Sequence, residues 1–305
     1  MNSKQMLKEI LALKTKHNAL ILAHYYQNKE IQDIADLVGD SFQLSKAAAE
    51  TDADAIVFCG VHFMAETAKL LSPNKRVLLP VKDAGCPMAD MADAKTVKEY
   101  REKHPDASVV CYVNSTAEIK ALSDICVTSA NAEKILKRYP GQKFLYVPDK
   151  NLAKYLIDKH DLNIDLFEGW CDIHNDLTVE DVKTMKEKYP DARFIAHPEA
   201  PLEVLREADF VGGTQALLSY ARQDEEARTY LIGTEEGLIH ELRKQSPDKT
   251  FLPVTDKLTC EDMKKTTLKD LHRALKEGVY EIEVDSTIRE AAEASLRRMM
   301  AESAQ

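Results

Sequence analysis

The sequence predicts an α/β protein built from three pseudo-threefold-related α/β/α domains, each with a short parallel sheet, around a central active site. Three observations carry that expectation. Cys86, Cys171 and Cys260 fall 85 and 89 residues apart, marking three copies of one unit that each deliver a thiolate to a common centre. An apolar strand running into polar residues opens each copy, at 19–26, 107–114 and 192–199. A hydroxyl residue then recurs 17 positions after His24, Tyr112 and His197, as Ser41, Ser129 and Thr214. A repeat of ~20 to 50 residues would indicate a solenoid; one near 85 gives small domains, placed at 1–90, 91–176 and 177–262.

The elements follow in order. Met6, Leu7, Ile10 and Leu11, with Lys4, Lys8 and Glu9 between them, make the amino terminus an amphipathic helix rather than a signal-peptide core. The opening strands bring His24 and Tyr26, Tyr112 and Asn114, and His197 and Glu199 to one end of each sheet. Each recurring hydroxyl stands before a helical pattern, where Ser or Thr is expected to cap unpaired amides. A second strand follows at 55–58, 143–147 and 229–232, then a helix, a short third strand at 77–80, 166–167 and 250–253, and the cysteine. Alternating strands and helices imply parallel sheets whose ligand crevice lies at the carboxyl ends of the strands. Ordinary β-to-α turns would explain any one of these hydroxyls by capping alone, but not their threefold coincidence with cysteine. Thr287 and Glu290 form a T-x-x-E pattern expected to start the last helix, ahead of Ile288, Ala291, Ala292 and Leu296.

At 305 residues, 44% of them apolar, the chain can bury a sizeable core. A formal net charge of −10 argues against nucleic acid and anionic membrane as partners. No run of 18 apolar residues exists, so no membrane association and a cytoplasmic location are expected. That compartment is reducing, so the six cysteines are not read as a disulfide framework. Cys59, Cys111 and Cys126 lie in or beside apolar stretches and read as buried inert thiols, whereas Cys86, Cys171 and Cys260 lie in loops. Three separated thiolates without a CxxC pair do not suit structural zinc, which takes four closed ligands. They suit an iron-sulfur cluster with one iron open, while catalytic zinc or mononuclear iron stays an alternative on spacing alone.

The ordered motifs resemble the quinolinate synthase family over nearly the whole chain. They are Ala23-His24-Tyr25-Tyr26-Gln27, Gly39-Asp40-Ser41, Cys111-Tyr112-Val113-Asn114-Ser115, Val147-Pro148-Asp149, Gly169-Trp170-Cys171, His197-Pro198-Glu199, Gly212-Gly213-Thr214 and the Cys260 loop. The resemblance is to the compact three-cysteine form, in which disulfide control near the carboxyl end is not expected. It implies a 4Fe-4S cluster held by Cys86, Cys171 and Cys260, with residues 263–305 returning to the first domain as a helical closure. The reaction it implies is condensation of iminoaspartate (iminosuccinate) with dihydroxyacetone phosphate to quinolinate, in de novo NAD biosynthesis, with an L-aspartate oxidase as a transient partner. The cluster would act as a Lewis acid.

Both implied substrates are anions, so the site must hold negative charge inside an acidic protein. Helix amino termini at Ser41, Ser129 and Thr214 would do so through amides and hydroxyls, with His24, His197, Tyr112 and Asn114 completing the contacts. Proton transfers next to an imine carbon and in a ketose phosphate call for a base and an acid, and Glu199, Tyr26, His24 and His174 are the candidates. A zinc hydrolase and a non-enzymatic iron-sulfur sensor are the rival readings. Neither accounts for the repeated hydroxyls.

Overall fold

A computed structural model describes residues 3–305. Its elements repeat three times in the same order. The first unit runs α1 (Ser3–Lys16), β1 (Ala19–His24), α2 (Lys29–Ile34), β2 (Leu37–Gly39), α3 (Ser41–Glu50), β3 (Ala55–Cys59), α4 (His62–Leu71), β4 (Arg76–Leu78) and α5 (Pro87–Met91). The second runs α6 (Ala94–Lys103), β5 (Ser108–Tyr112), α7 (Ala117–Ala121), β6 (Ile125–Val127), α8 (Ala132–Leu136), β7 (Phe144–Val147), α9 (Lys150–His160), β8 (Ile164–Leu166) and α10 (Asp172–Asn175). The third runs α11 (Val179–Lys188), β9 (Arg193–Ala196), α12 (Leu202–Leu205), β10 (Phe210–Val211), α13 (Thr214–Gln223), β11 (Thr229–Gly233), α14 (Leu238–Gln245), β12 (Thr250–Pro253) and α15 (Glu261–Lys264). Two helices follow, α16 (Leu268–Glu277) and α17 (Ser286–Ala304).

The three sheets are β2-β1-β3-β4, β6-β5-β7-β8 and β10-β9-β11-β12, every neighbouring pair parallel. The α/β class and the triplicated parallel sheet are therefore as the sequence predicts. Each sheet holds four strands rather than three. The added strands, β2, β6 and β10, are two or three residues long, too short for an alternation to register. An aspartate fixes each one. The carboxylates of Asp36, Asp124 and Asp209 accept the amides of Ile21, Val109 and Phe194 at 2.8, 2.7 and 2.7 Å, tying the added strand to the first strand of its unit.

The first and third strands of each unit are almost wholly buried, as parallel strands covered by helices on both faces should be. Within each unit the order reverses between the first and third strands, which opens a crevice at their carboxyl ends. A continuous apolar core joins the first and second units. Helix α16 packs on α1, while α17 lies across α7 and β6 of the second unit and reaches α4 of the first. Its cap differs from the sequence expectation: Asp285, not Thr287, accepts an amide at the helix start, that of Thr287 at 2.8 Å.

Candidate active site

The three crevices open into one cavity of about 360 Å3 walled by all three units. His24, Tyr26 and Ser41 come from the first, Tyr112, Asn114, Ser129, Cys171 and His174 from the second, and His197, Glu199, Thr214 and Cys260 from the third. Cys86 of the first unit lines it as well, so every residue singled out from the sequence reaches one space. His24 and Tyr112 close their strands, whereas Tyr26, Asn114, His197 and Glu199 lie in the turns just beyond.

The hydroxyls do not cap. Ser41 and Thr214 are the first residues of α3 and α13, and the caps are Asp40 and Gly213. Asp40 makes a full capping box with Gln43, accepting its amide at 2.8 Å. In the second unit Asn131 precedes α8, its Oδ1 accepting the Thr128 amide at 2.7 Å. Relieved of capping, Ser129 meets His197 Nε2 at 3.1 Å, and all three hydroxyls line the cavity. A Cβ at Gly213 would stand 2.8 Å from Ser129 Oγ, so a side chain there would push the hydroxyl aside.

Cys86, Cys171 and Cys260 occupy one structural position, immediately before the short helices α5, α10 and α15. All three are free thiols. Burial pushes Cys86 up to about 12 and Cys260 up to about 11, and it raises Cys171 as well. The opposing influence repeats: the amides of Ala89, His174 and Met263, each three residues on, draw the sulfurs towards the thiolate. Three soft donors from three walls around one space fit a thiolate-bound metal group. Among the described residues, Cys171, His174 and Glu199 also bring donor atoms within 4.8 Å of one another.

A hydrogen-bonded chain crosses the cavity wall. Tyr26 Oη meets Thr234 Oγ1 at 2.7 Å, and Thr234 Oγ1 meets His174 Nε2 at 2.8 Å. His174 Nδ1 stands 2.8 Å from Glu199 Oε2, and Tyr112 Oη donates to Glu199 Oε1 at 2.5 Å. The chain passes through all three units. Burial alone would raise Glu199, but His197, His174 and Tyr112 outweigh it and hold the carboxyl at about 2, so it is ionised at neutral pH. Burial raises Tyr26 and Tyr112 well above the usual tyrosine value, with Glu199 adding to both shifts, so both keep their protons. Burial lowers His24 to about 3 and His197 to about 4, leaving both rings neutral. Nδ1 of His24 accepts the Tyr26 amide at 3.2 Å, which places the ring proton on Nε2. Asn114 Oδ1 is buried with no hydrogen-bond partner among the described residues.

Sequence reading missed Thr234, the centre of that chain. The signal available was position: Thr234 directly follows β11, on the other side of the switch point from His197. It also missed an ion pair between buried Glu235 and partly exposed Lys264, at 2.8 Å. Glu235 accepts the amides of Cys260 at 3.1 Å and Gly237 at 2.7 Å, while Lys264 donates to the Tyr26 carbonyl at 2.7 Å. The pair fastens the Cys260 loop to the Tyr26 turn. Asp149, unplaced from sequence, is fully buried behind the cavity and accepts the Asn151 and Leu152 amides, both at 2.8 Å.

Parallel sheets meeting at their carboxyl ends, with metal-capable thiols beside a buried acid–base chain, define a triplicated α/β enzyme. The Quinolinate synthetase A protein family matches residues 8–301, and the chain belongs to that family. It is similar to a quinolinate synthase of Alkaliphilus metalliredigens, 47% identical over 98% of this chain and 99% of the relative. It is also similar to a quinolinate synthase of Clostridium acetobutylicum, 48% identical over 97% and 98%. The quinolinate synthase 1 of Methanosarcina acetivorans is 48% identical over 99% of both chains.

Proposed function

We propose that the protein is a quinolinate synthase, a transferase of NAD biosynthesis that joins iminoaspartate to dihydroxyacetone phosphate with loss of water and phosphate. The observation that carries this reading is the single cavity in which one cysteine from each unit meets His24, Tyr26, Tyr112, His197 and Glu199. The fit of the cysteines argues for a 4Fe-4S cluster held by Cys86, Cys171 and Cys260, which would supply Lewis acidity through an iron left free of protein ligands.

The chain's own groups account for binding and proton movement. The amino termini of α3 and α13, with the Ser41 and Thr214 hydroxyls, offer donors to carboxylate or phosphate without mobile cations. Ser129, the Nε2 proton of His24 and the open Asn114 amide add directional contacts. Glu199 is the base that takes a proton beside the imine carbon, because it is a buried carboxylate held ionised and hydrogen-bonded into the relay between His174 and Tyr112. Tyr26 is the acid on the phosphate substrate's side, and a proton lost from it is replaced through Thr234 and His174. Iminoaspartate is unstable in water, which suits supply by an L-aspartate oxidase.

A second reading comes from the Cys171, His174 and Glu199 donors, which could hold a single divalent ion. The 2.8 Å contact between His174 Nδ1 and Glu199 Oε2 favours a relay instead, since each atom already serves the other. Anaerobic purification with iron and sulfide analysis and a quinolinate assay separates the readings. Near-equal iron and sulfide with quinolinate formed, both lost in Cys171→Ser, is the expected result. A sulfide-free protein bearing one metal ion and making no quinolinate would overturn it.

A further inference from the structure

Lys120 lies in α7 and is fully buried, yet no carboxylate pairs with it among the described residues. A lysine amine in such a place needs donors' partners and a counter-charge. Its Nζ donates to the Ser115 carbonyl and stands 5.5 Å from the Phe63 ring centroid. Two thiols, Cys111 and Cys126, lie within its electrostatic reach. Cys111 and Cys126 are paired in register on β5 and β6, both fully buried, and Ser115 and Ser123 flank Cys111. Burial would raise Cys111, but Cys126, Lys120, Ser115 and Ser123 together bring it down to about 7. This is a polar cluster closed off from the cavity, which none of these groups lines.

Its position gives it a use. Cys111 directly precedes Tyr112, and its thiol donates to the Tyr112 carbonyl at 3.2 Å. The Ser115 carbonyl that Lys120 holds directly follows Asn114, so the cluster grips both ends of the turn that presents Tyr112 and Asn114 to the cavity. A lid secures it: Ser295 of α17 donates to the Lys120 carbonyl at 2.9 Å and lies 3.3 Å from the Cys126 sulfur.

We infer that Lys120 is a positioning residue that, together with the Cys111 thiol, fixes the 112–115 turn and thereby aims Asn114 at the substrate. It touches no substrate itself. The role rests on the quinolinate synthase reading, and the experiment separates the two. Wild type is assayed first, and a protein that makes no quinolinate rejects that reading before any variant is made.

With an active wild type, Lys120→Met, Asn114→Ala and the double variant are compared as anaerobically purified holoenzymes matched for iron content. Lys120→Met is expected to raise KM about tenfold with kcat within about threefold, the pattern of lost binding rather than lost chemistry. In the double variant the two losses should not multiply: its kcat/KM should match that of Asn114→Ala alone, because the lysine acts through the asparagine. Unchanged KM in Lys120→Met, or losses that multiply fully, would overturn the assignment. Should Lys120→Met not fold, Cys111→Ala with and without Asn114→Ala carries the same test. A KM rise that fails to multiply with Asn114→Ala supports the role, and an unchanged KM or a multiplying one rejects it.

Discussion

At the scale of single residues, burial and neighbouring groups widen the pH range over which the site keeps one set of protonation states. His24 stays neutral down to about 3, Tyr26 keeps its proton well above the usual tyrosine value, and His197, His174 and Tyr112 hold Glu199 ionised down to about 2. Thr234 links two of the proton carriers with one hydroxyl. Thr234→Val, which keeps the shape and removes the hydroxyl, should lower kcat about 100-fold with iron content intact, and Thr234→Ser should restore most of it. A valine variant at full rate would remove the relay from the mechanism. His24 also carries a pH signature. Its folded value of about 3 lies below its ordinary 6.5, so on acidification the unfolded chain takes up the proton first. Its contribution is fully present above pH 6.5 and declines by about 1.4 kcal/mol per unit as pH falls towards 3. Urea midpoints should therefore fall more steeply for wild type than for His24→Asn between about pH 7 and pH 5; parallel curves would mean that the ring is not held neutral. Most of this site was legible in the sequence, because strand-end residues and repeated cysteines occupy fixed places in the repeat. Thr234 was not, since its role depends on meeting Tyr26 and His174 from the other two units, which no spacing within one unit records.

At the scale of elements, the repeat is a set of interchangeable devices with different contents. The short strands β2, β6 and β10 escaped sequence reading because two or three residues cannot express a period. Their signature was nevertheless present, as Asp36, Asp124 and Asp209 each stand five residues before Ser41, Ser129 and Thr214. From sequence the hydroxyls look like caps because cap and first helical residue are adjacent and share the same preferences; only the atoms distinguish Asp40 from Ser41. The start of α17 differs by two residues, its cap being Asp285 rather than Thr287, and the difference can be tested. Asp285→Ala should cost about 1 kcal/mol of stability, read as a shift in urea midpoint, whereas Glu290→Ala should cost little. Equal effects would restore the T-x-x-E reading.

At the scale of the whole molecule, stability and site geometry share the same surfaces. Leu296 and Met299 of α17 are fully buried in the core that joins the first two units. Leu296→Ala should lower the unfolding free energy by about 2–5 kcal/mol, measured by denaturant titration, although the residue is not among those lining the cavity. An effect below about 1 kcal/mol would mean that α17 is a loose appendage. Closure of the first sheet has a temporal side. The free edge of β4 is completed by residues near the other end of the chain: Leu79 donates to the Tyr280 carbonyl at 2.9 Å, Tyr280 donates back at 3.1 Å, and the Ile282 amide donates to the Val77 carbonyl at 2.8 Å. Helix α16 arrives by the same path to cover α1. During synthesis the first unit thus leaves the ribosome before the residues that finish it, waiting with an open strand edge while some 200 residues are added, roughly 10 to 40 seconds at about 5–20 residues per second. Chaperone dependence of this protein should accordingly reside in its amino-terminal third.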